Sequence, residues 1–432
     1  MKLWQKDNTE TVAQIEQFTV GRDREFDLQM AAFDVQGTLA HIRMLHECGL
    51  LETQDFLLAG QALSEIAQEI AAGNFSIEKD CEDIHSQIEW MLTQRIGEAG
   101  KKIHTGRSRN DQVAVDIKLY LRQALLEIKA LSTQLFETLQ QQSETYKEVL
   151  MPGYTHLQVA MPSSFGLWLG AYAEALSDDM LLLLAAYRIT NKNPLGSGAG
   201  YGSSLPLNRT RTTELLGFDD LHYNSIYAQM SRGKTEKTVS VAIAAIAATL
   251  GRLSMDICLY AGQDYGFIGF PDAYTTGSSI MPHKKNPDVF ELIRGKCNRI
   301  QALPNEFSLL LANLPSGYHR EMQLTKEMLF PAIQELRSCM EAAILLLSHM
   351  LVTTGILEAP KYAYLFTVER VNELMMSGIP FRDAYKMVGQ EVEQGTFQPG
   401  NRTVKHTHEG SIGNLCNEQI KAAFIKTTAA FE

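Results

Sequence analysis

The chain is expected to be all-α, a three-domain subunit built around a central bundle of long helices. Three observations predict this. Apolar residues recur at three- and four-residue steps over unusually long stretches, as an amphipathic helix requires. No stretch sustains the alternation of apolar and polar residues that marks a half-buried strand, so few strands are expected. Residues 238–250 are apolar almost all round, the pattern of a helix buried on every side. Such a helix is hard to bury within one subunit. A homo-oligomer whose central helices pack across subunits is therefore expected.

In chain order, residues 1–108 read as an N-terminal domain of shorter helices that ends in a polar loop. Residues 109–358 read as the bundle domain. Its first helix is carried by Val113, Ile117, Tyr120, Leu121, Ala124, Leu125, Ile128, Leu131 and Leu135 and runs from 111 to about 146. Further long helices are expected over 164–189, 234–260, 287–311 with a kink or break at Pro304, and 321–353 with a bend at Pro331. Residues 359–432 open on Ala359-Pro360 and read as a small C-terminal helical domain.

Composition narrows the function. The chain has 432 residues, 45% of them apolar and 21% charged, as in an ordinary globular protein. A net charge of −11 argues against non-specific nucleic-acid binding, which needs a basic face. The N-terminal MKLWQKDNTE lacks the apolar core of a secretory signal. The longest uncharged helical run, TVSVAIAAIAATLG, has 14 residues, against the roughly 20 that span a bilayer. The six cysteines are scattered without a CxxC pair, which suggests free thiols in a reducing cytoplasm and no zinc site. A cytoplasmic location without a membrane or nucleic-acid partner is the expectation.

Four polar islands interrupt the helices. HTGRSRNDQV (104–113) precedes a long helix, and Asn110 or Asp111 can cap it. Its free N–H groups, with Arg107 and Arg109, suit a carboxylate. MPGYTHLQVAMP (151–162) sets His156 between two prolines, where it can be a structural residue or a general acid or base. NPLGSGAGYGSSLP (193–206) has neither a preceding strand nor a following GK[ST]. It therefore fits neither nucleotide fingerprint, which leaves a ligand-approaching loop or a flexible connector. GSSIMPHKKNP (277–287) is a stiff loop with serines at its front and cations in its middle. A serine becomes a base only where backbone N–H groups and cations hold its oxyanion, and Ser278 and Ser279 lie close to Lys284 on this loop. Glu291, on the following helix, can reach and orient a histidine from elsewhere.

GSSIMPHKKNP resembles the GSSxMPxKxNP signature of the fumarase/aspartase superfamily. HTGRSRNDQV, PGYTHLQ, NPLGSGA, ELIRGK and YHREMQLTKE (318–327) resemble its argininosuccinate lyases. The likeness runs from about residue 20 to about 390. It implies a homotetramer in which three subunits contribute to each site, acting on argininosuccinate as small-molecule substrate with no cofactor and no metal. By the resemblance Ser278 is the base, His156 serves the acid side, and Glu291 orients His156. Lys284 and Asn286 hold the succinyl carboxylates. Ser108, Arg109, Asn110 and Thr155 hold the carboxylates or the body of the substrate, and Tyr318, Gln323 and Lys326 the arginine part.

The sequence also departs from that pattern. His283 stands where the lyase has Gln, the usual SDRD reads SRGK (231–234), and QEDKE reads QLTKE (323–327). The usual N-terminal serine is replaced near Asp23, and HTHEG (406–410) is unusual. These changes touch recognition of the arginine side. A related lyase acting on an adenylosuccinate-like substrate, or a catalytically silent crystallin-type relative, are the alternatives. A metal site at His406, Thr407, His408 and Glu409 is a further idea, but its two close histidines lack an evident third ligand.

Overall fold

The computed structural model describes residues 13–431 apart from 278, 401, 403 and 405. The chain is predominantly helical, as expected, and its strands are short and paired only in twos among the described residues. It divides into two compact units. Unit 1 comprises residues up to 128 with 182–244 and 299–336; unit 2 comprises 129–181, 245–298 and 337–432. Compactness therefore groups non-consecutive stretches, because the long helices run on from one unit into the other.

After two short helices, Ala13–Val20 and Asp23–Asp27, unit 1 continues with helices α1 (Ala31–Glu47), α2 (Thr53–Ala71) and α3 (Ile84–Ile96). Ile42, Leu45, Leu63, Ile66, Ile84, Ile88 and Leu92 line up on their facing sides and form one buried cluster. Helix α3 begins at Asp83, whose Oδ1 accepts from Ser86 N at 2.8 Å in an N-cap. Helix α4 (Arg109–Thr145) starts within two residues of expectation. In unit 1 its buried Lys118 donates to Ile189 O at 3.3 Å and Thr235 Oγ1 at 3.2 Å. Burial pulls that lysine down to about 7.

The second island is a β-hairpin, which periodicity alone did not reveal. Strands β1 (Leu150–Thr155) and β2 (Gln158–Ser164) pair antiparallel, with Thr155 opposite Gln158. The two turn residues, His156 and Leu157, both take positive φ, +53° and +59°. This is the type I′ arrangement, whose twist suits a two-residue hairpin.

Helices α5 (Phe165–Thr190) and α6 (Ser225–Tyr260) follow. Helix α6 begins earlier than expected and is interrupted at Arg232 and Gly233. Gly233 has φ +73°, and a Cβ there would lie 2.2 Å from Leu311 Cδ2, so only glycine fits this bend. The SRGK sequence is thus a built kink. Among the described residues α6 alone is long and apolar enough to cross a membrane by length and composition, and half of its most apolar stretch is buried within the chain. Helices α7 (Asp288–Ile300) and α8 (Leu303–Leu310) are separate, and Pro304 sits in the first turn of α8. Proline is tolerated there because those N–H groups have no helical acceptor. Helix α9 (Leu324–Leu347) carries Pro331 inside it. In unit 1 its Phe330 packs on Tyr120 with ring centroids 4.0 Å apart. Helices α10 (Thr367–Met376), α11 (Phe381–Glu393) and α12 (Asn417–Ala429) complete unit 2, where Phe424 stacks on Phe136.

Candidate active site

The residues expected to bind and react fall into two groups, one in each unit. In unit 1, Arg109, Asn110, Tyr318, Gln323 and Lys326 line one cleft of about 300 Å³, together with Asp23, Glu82, Asp83, Ser86, His104, Arg232 and Arg320. Five of the residues singled out from the sequence thus line one cleft.

The start of α4 is a capping box. Ser108 Oγ accepts from Asn110 N at 3.2 Å, and Asp111 Oδ1 accepts from Ser108 N at 2.8 Å. Ser108 Oγ thus accepts at the helix start, a bond that does not use its hydroxyl proton. Asp111 Oδ2 accepts from Gly196 N and Gly198 N, both at 2.9 Å. The first part of the glycine-rich island is thus anchored, with two of its N–H groups taken by a buried protein carboxylate, while residues 201–206 are exposed. Burial still outweighs those donors and pushes Asp111 up to about 6.

The cations of the cleft are paired. Arg109 Nη1 donates to Asp83 Oδ1 and to Ser86 Oγ at 3.3 Å. Burial raises Asp83, but His85 and Arg109 outweigh it and hold the carboxyl below its ordinary range. Arg320 Nη2 donates to Glu82 Oε1 at 3.0 Å. Gln323 Nε2 donates to the carbonyls of Thr19 and Val20 at 3.0 and 3.1 Å, fixing the N-terminal segment at the rim. The buried Lys326 Nζ lies 2.5 Å from both Asp23 Oδ1 and Asp27 Oδ1. Burial lowers this lysine, and the two carboxylates more than reverse that.

Elsewhere in unit 1, α3 and α4 are joined by a buried polar set. His85 Nδ1 is 2.8 Å from Asp34 Oδ1 and 3.4 Å from Asp116 Oδ2, and Gln112 Nε2 donates to Asp34 at 2.6 Å. Burial raises Asp34, but His85 and Arg107 bring it well below the usual range. Burial and the Asp34 charge push Asp116 far above it. Asp34, His85 and Asp116 have the spacing to hold a metal ion, but Arg107, buried beside them, already supplies positive charge. Sequence reading missed this set and the carboxylates facing the cleft. A capping signal was available at Asp83 and Ser86, and Arg320 stood inside a quoted motif.

In unit 2, His156 sits exposed at the hairpin tip, beside Thr155. It lines a cavity of about 730 Å³ with Tyr154, Trp168, Tyr172, Arg252 and Asp256. Asp256 Oδ2 accepts from Trp168 Nε1 at 3.0 Å and from Tyr172 OH at 2.6 Å. The island at 277–287 is a second small hairpin, with Thr276 opposite Asn286 and Gly277 opposite Lys285. Ser278 lies outside the described residues. Lys284 is exposed at the turn. Glu291 is exposed in the first turn of α7. Within one chain no hydrogen bond joins Glu291 to His156, so the expected orienting contact is not made there. At the C-terminus, His406 Nδ1 is 2.7 Å from Ser411 Oγ and its Nε2 is 3.4 Å from Glu369. His408 turns to the carbonyl of Glu409 at 3.1 Å. The two histidines of HTHEG therefore have separate partners and do not converge on a metal.

The sequence pattern of a lyase family matches residues 10–302. An argininosuccinate lyase of Bacteroides fragilis is 55% identical over 430 residues, covering 100% of this chain and 96% of its own length. The chain belongs to this lyase family. An argininosuccinate lyase of Parabacteroides distasonis is also 55% identical, with the same coverage. One of Stenotrophomonas maltophilia is 36% identical over 97% of this chain and 98% of its own. Among solved structures, an EDDS lyase in complex with formate superposes with a TM-score of 0.77 at 22% identity, over 98% of this chain and 91% of its own. A fumarate lyase:delta crystallin from Brucella melitensis bound to cobalt gives 0.74 at 15% identity, over 94% and 91%. These two likenesses concern the fold alone, and they agree with the all-helical architecture.

Proposed function

We propose that the chain cleaves argininosuccinate reversibly into arginine and fumarate, the last step of arginine biosynthesis, in the cytoplasm. The observation that carries this reading is the unit-1 cleft. Two segments 200 residues apart in sequence, around Arg109 and around Lys326, meet there and line it with paired charges of both signs. Such a lining suits a zwitterionic amino acid. The full-length likeness to argininosuccinate lyases supports the same substrate.

The chemistry follows from the substrate. Ser278 removes the proton beside a succinyl carboxylate, and the electron pair moves into that carboxylate. Lys284 and Asn286 face the charge that develops, where fixed donors and cations lower the barrier most. The C–N bond then breaks, and a proton from the His156 side reaches the leaving guanidinium nitrogen. Ser108, Arg109, Asn110 and Thr155 hold the substrate's body, and Tyr318, Gln323 and Lys326 its arginine half. Glu291 orients His156 in the assembled protein, a homotetramer whose sites draw on three subunits. The exposed tip at His156 and the exposed apolar Val241 and Met255 on α6 support such an assembly.

The test is fumarate formation, followed by ultraviolet absorbance, with argininosuccinate and adenylosuccinate offered separately. Release from argininosuccinate alone is the expected result. Release from adenylosuccinate alone, or from neither, would overturn the reading.

A further inference from the structure

The charges of the unit-1 cleft do not balance evenly. Arg109 faces Asp83, Arg320 faces Glu82, and Arg232 Nε is held by Glu236 at 3.1 Å. Lys326 alone meets two carboxylates, Asp23 and Asp27. His104 adds no charge near neutrality, because burial and the neighbouring Arg107 and Arg109 pull it down to about 4. Counted with their direct partners, including Asp27 and Glu236 behind the lining, these four cations face five carboxylates, and the surplus negative charge sits on the Asp23/Asp27 pair that shares Lys326. Asp27 is inaccessible, its side chain only 1% exposed, and its Oδ2 also accepts from Ile84 N. Asp23 lines the cleft and keeps 16% of its side chain open. Burial and the Asp27 charge push Asp23 up to about 6, the behaviour of a carboxylate short of positive charge.

We infer that Asp23 is a specificity residue. It accepts a hydrogen bond from the free α-ammonium of the substrate's amino-acid half, and so selects against substrates whose α-nitrogen is acylated. The inference rests on the reading that this cleft takes the arginine half. An ammonium brings three donors and a second positive charge for the two carboxylates that share Lys326. An acylated α-nitrogen offers a single N–H with no charge, and its acyl group would stand against a partly buried carboxylate pair left uncompensated. The serine usual at this place in the resembling lyases can donate or accept and does not impose that charge. A charge-assisted hydrogen bond of this kind corresponds to about a 10- to 100-fold preference.

The experiment compares argininosuccinate with its Nα-acetyl derivative, by kcat/KM for fumarate release, in the native enzyme, Asp23→Asn and Asp23→Ser. Both variants retain the Asp27–Lys326 pair, and a thermal melt confirms that they fold. The native enzyme is expected to prefer the free amine by about tenfold or more. Both variants should lose most of that preference through a raised KM for argininosuccinate, with little change for the acetylated substrate. Equal use of both substrates by the native enzyme, or an undiminished preference in both variants, would overturn the inference. Calorimetric binding of arginine and Nα-acetylarginine to the native protein decides the matter independently of turnover. Arginine alone should bind, and equal binding of the two would refute the role of Asp23. If arginine alone binds but neither succinyl compound releases fumarate, the proposed function fails while the ammonium site stands.

Discussion

The unit-1 cleft and the exposed groups of unit 2 are opposites. In the cleft each cation has a carboxylate, and Lys326 has two. In unit 2, His156 at its hairpin tip, Lys284 on the second hairpin and Glu291 on α7 are exposed and take no ion-pair partner among the described residues. In the proposed mechanism the difference separates two tasks. A binding surface gains from being rigid before substrate arrives, since ordering then costs less on association. Groups that move protons must meet the substrate in a geometry that only assembly and closure complete.

Substitutions should respect that division. The largest effect is expected for Ser278→Ala, with turnover down by about a thousandfold or more and the oligomer unchanged by light scattering. A near-native rate would end the serine-base assignment. His156→Asn comes next, with kcat lower by about 100-fold or more and KM nearly constant. A risen KM with intact kcat would move His156 from the chemical group to the binding group. Lys326→Met probes the other side. It leaves Asp23 and Asp27 facing each other without their shared cation, and urea unfolding should register a loss of about 3 kcal/mol as well as weaker binding. Unchanged stability would mean that the cleft is not a pre-paired unit.

The smallest effect concerns acid. Burial lowers His222 to about 3 and His104 to about 4, so both stay neutral in the folded chain where the unfolded chain would take up protons. Their contribution to stability is full above about pH 6.5 and is lost as pH falls towards 4 and then 3. His222→Gln should flatten the decline of unfolding free energy with acidification in that window. A slope identical to that of the native protein would refute the assignment.

The long helices were legible because 3.6-residue periodicity survives in any buried amphipathic segment. Leu121, Leu125 and Ile128 mark α4 as plainly in the sequence as in the fold. The hairpin at 150–164 was not legible, because two prolines and a histidine in a left-handed turn give no alternation to read. Polar motifs found Arg109, Asn110, Tyr318, Gln323 and Lys326. They could not reveal that Asp23 and Asp27 share Lys326, since a pairing across 300 residues of chain leaves no local pattern. The same holds for Asp34, His85 and Asp116.

The turn at His156 has a consequence for anyone who would engineer this protein. A side chain with a positive φ is a conformation that glycine adopts freely and an L-residue resists by about 1–2 kcal/mol. With the role proposed for His156, backbone preference and proton transfer make opposite demands on one position. A selection for heat resistance alone would favour glycine at 156 and return sturdier, inert proteins, so any such search has to count product formed as well as molecules left folded.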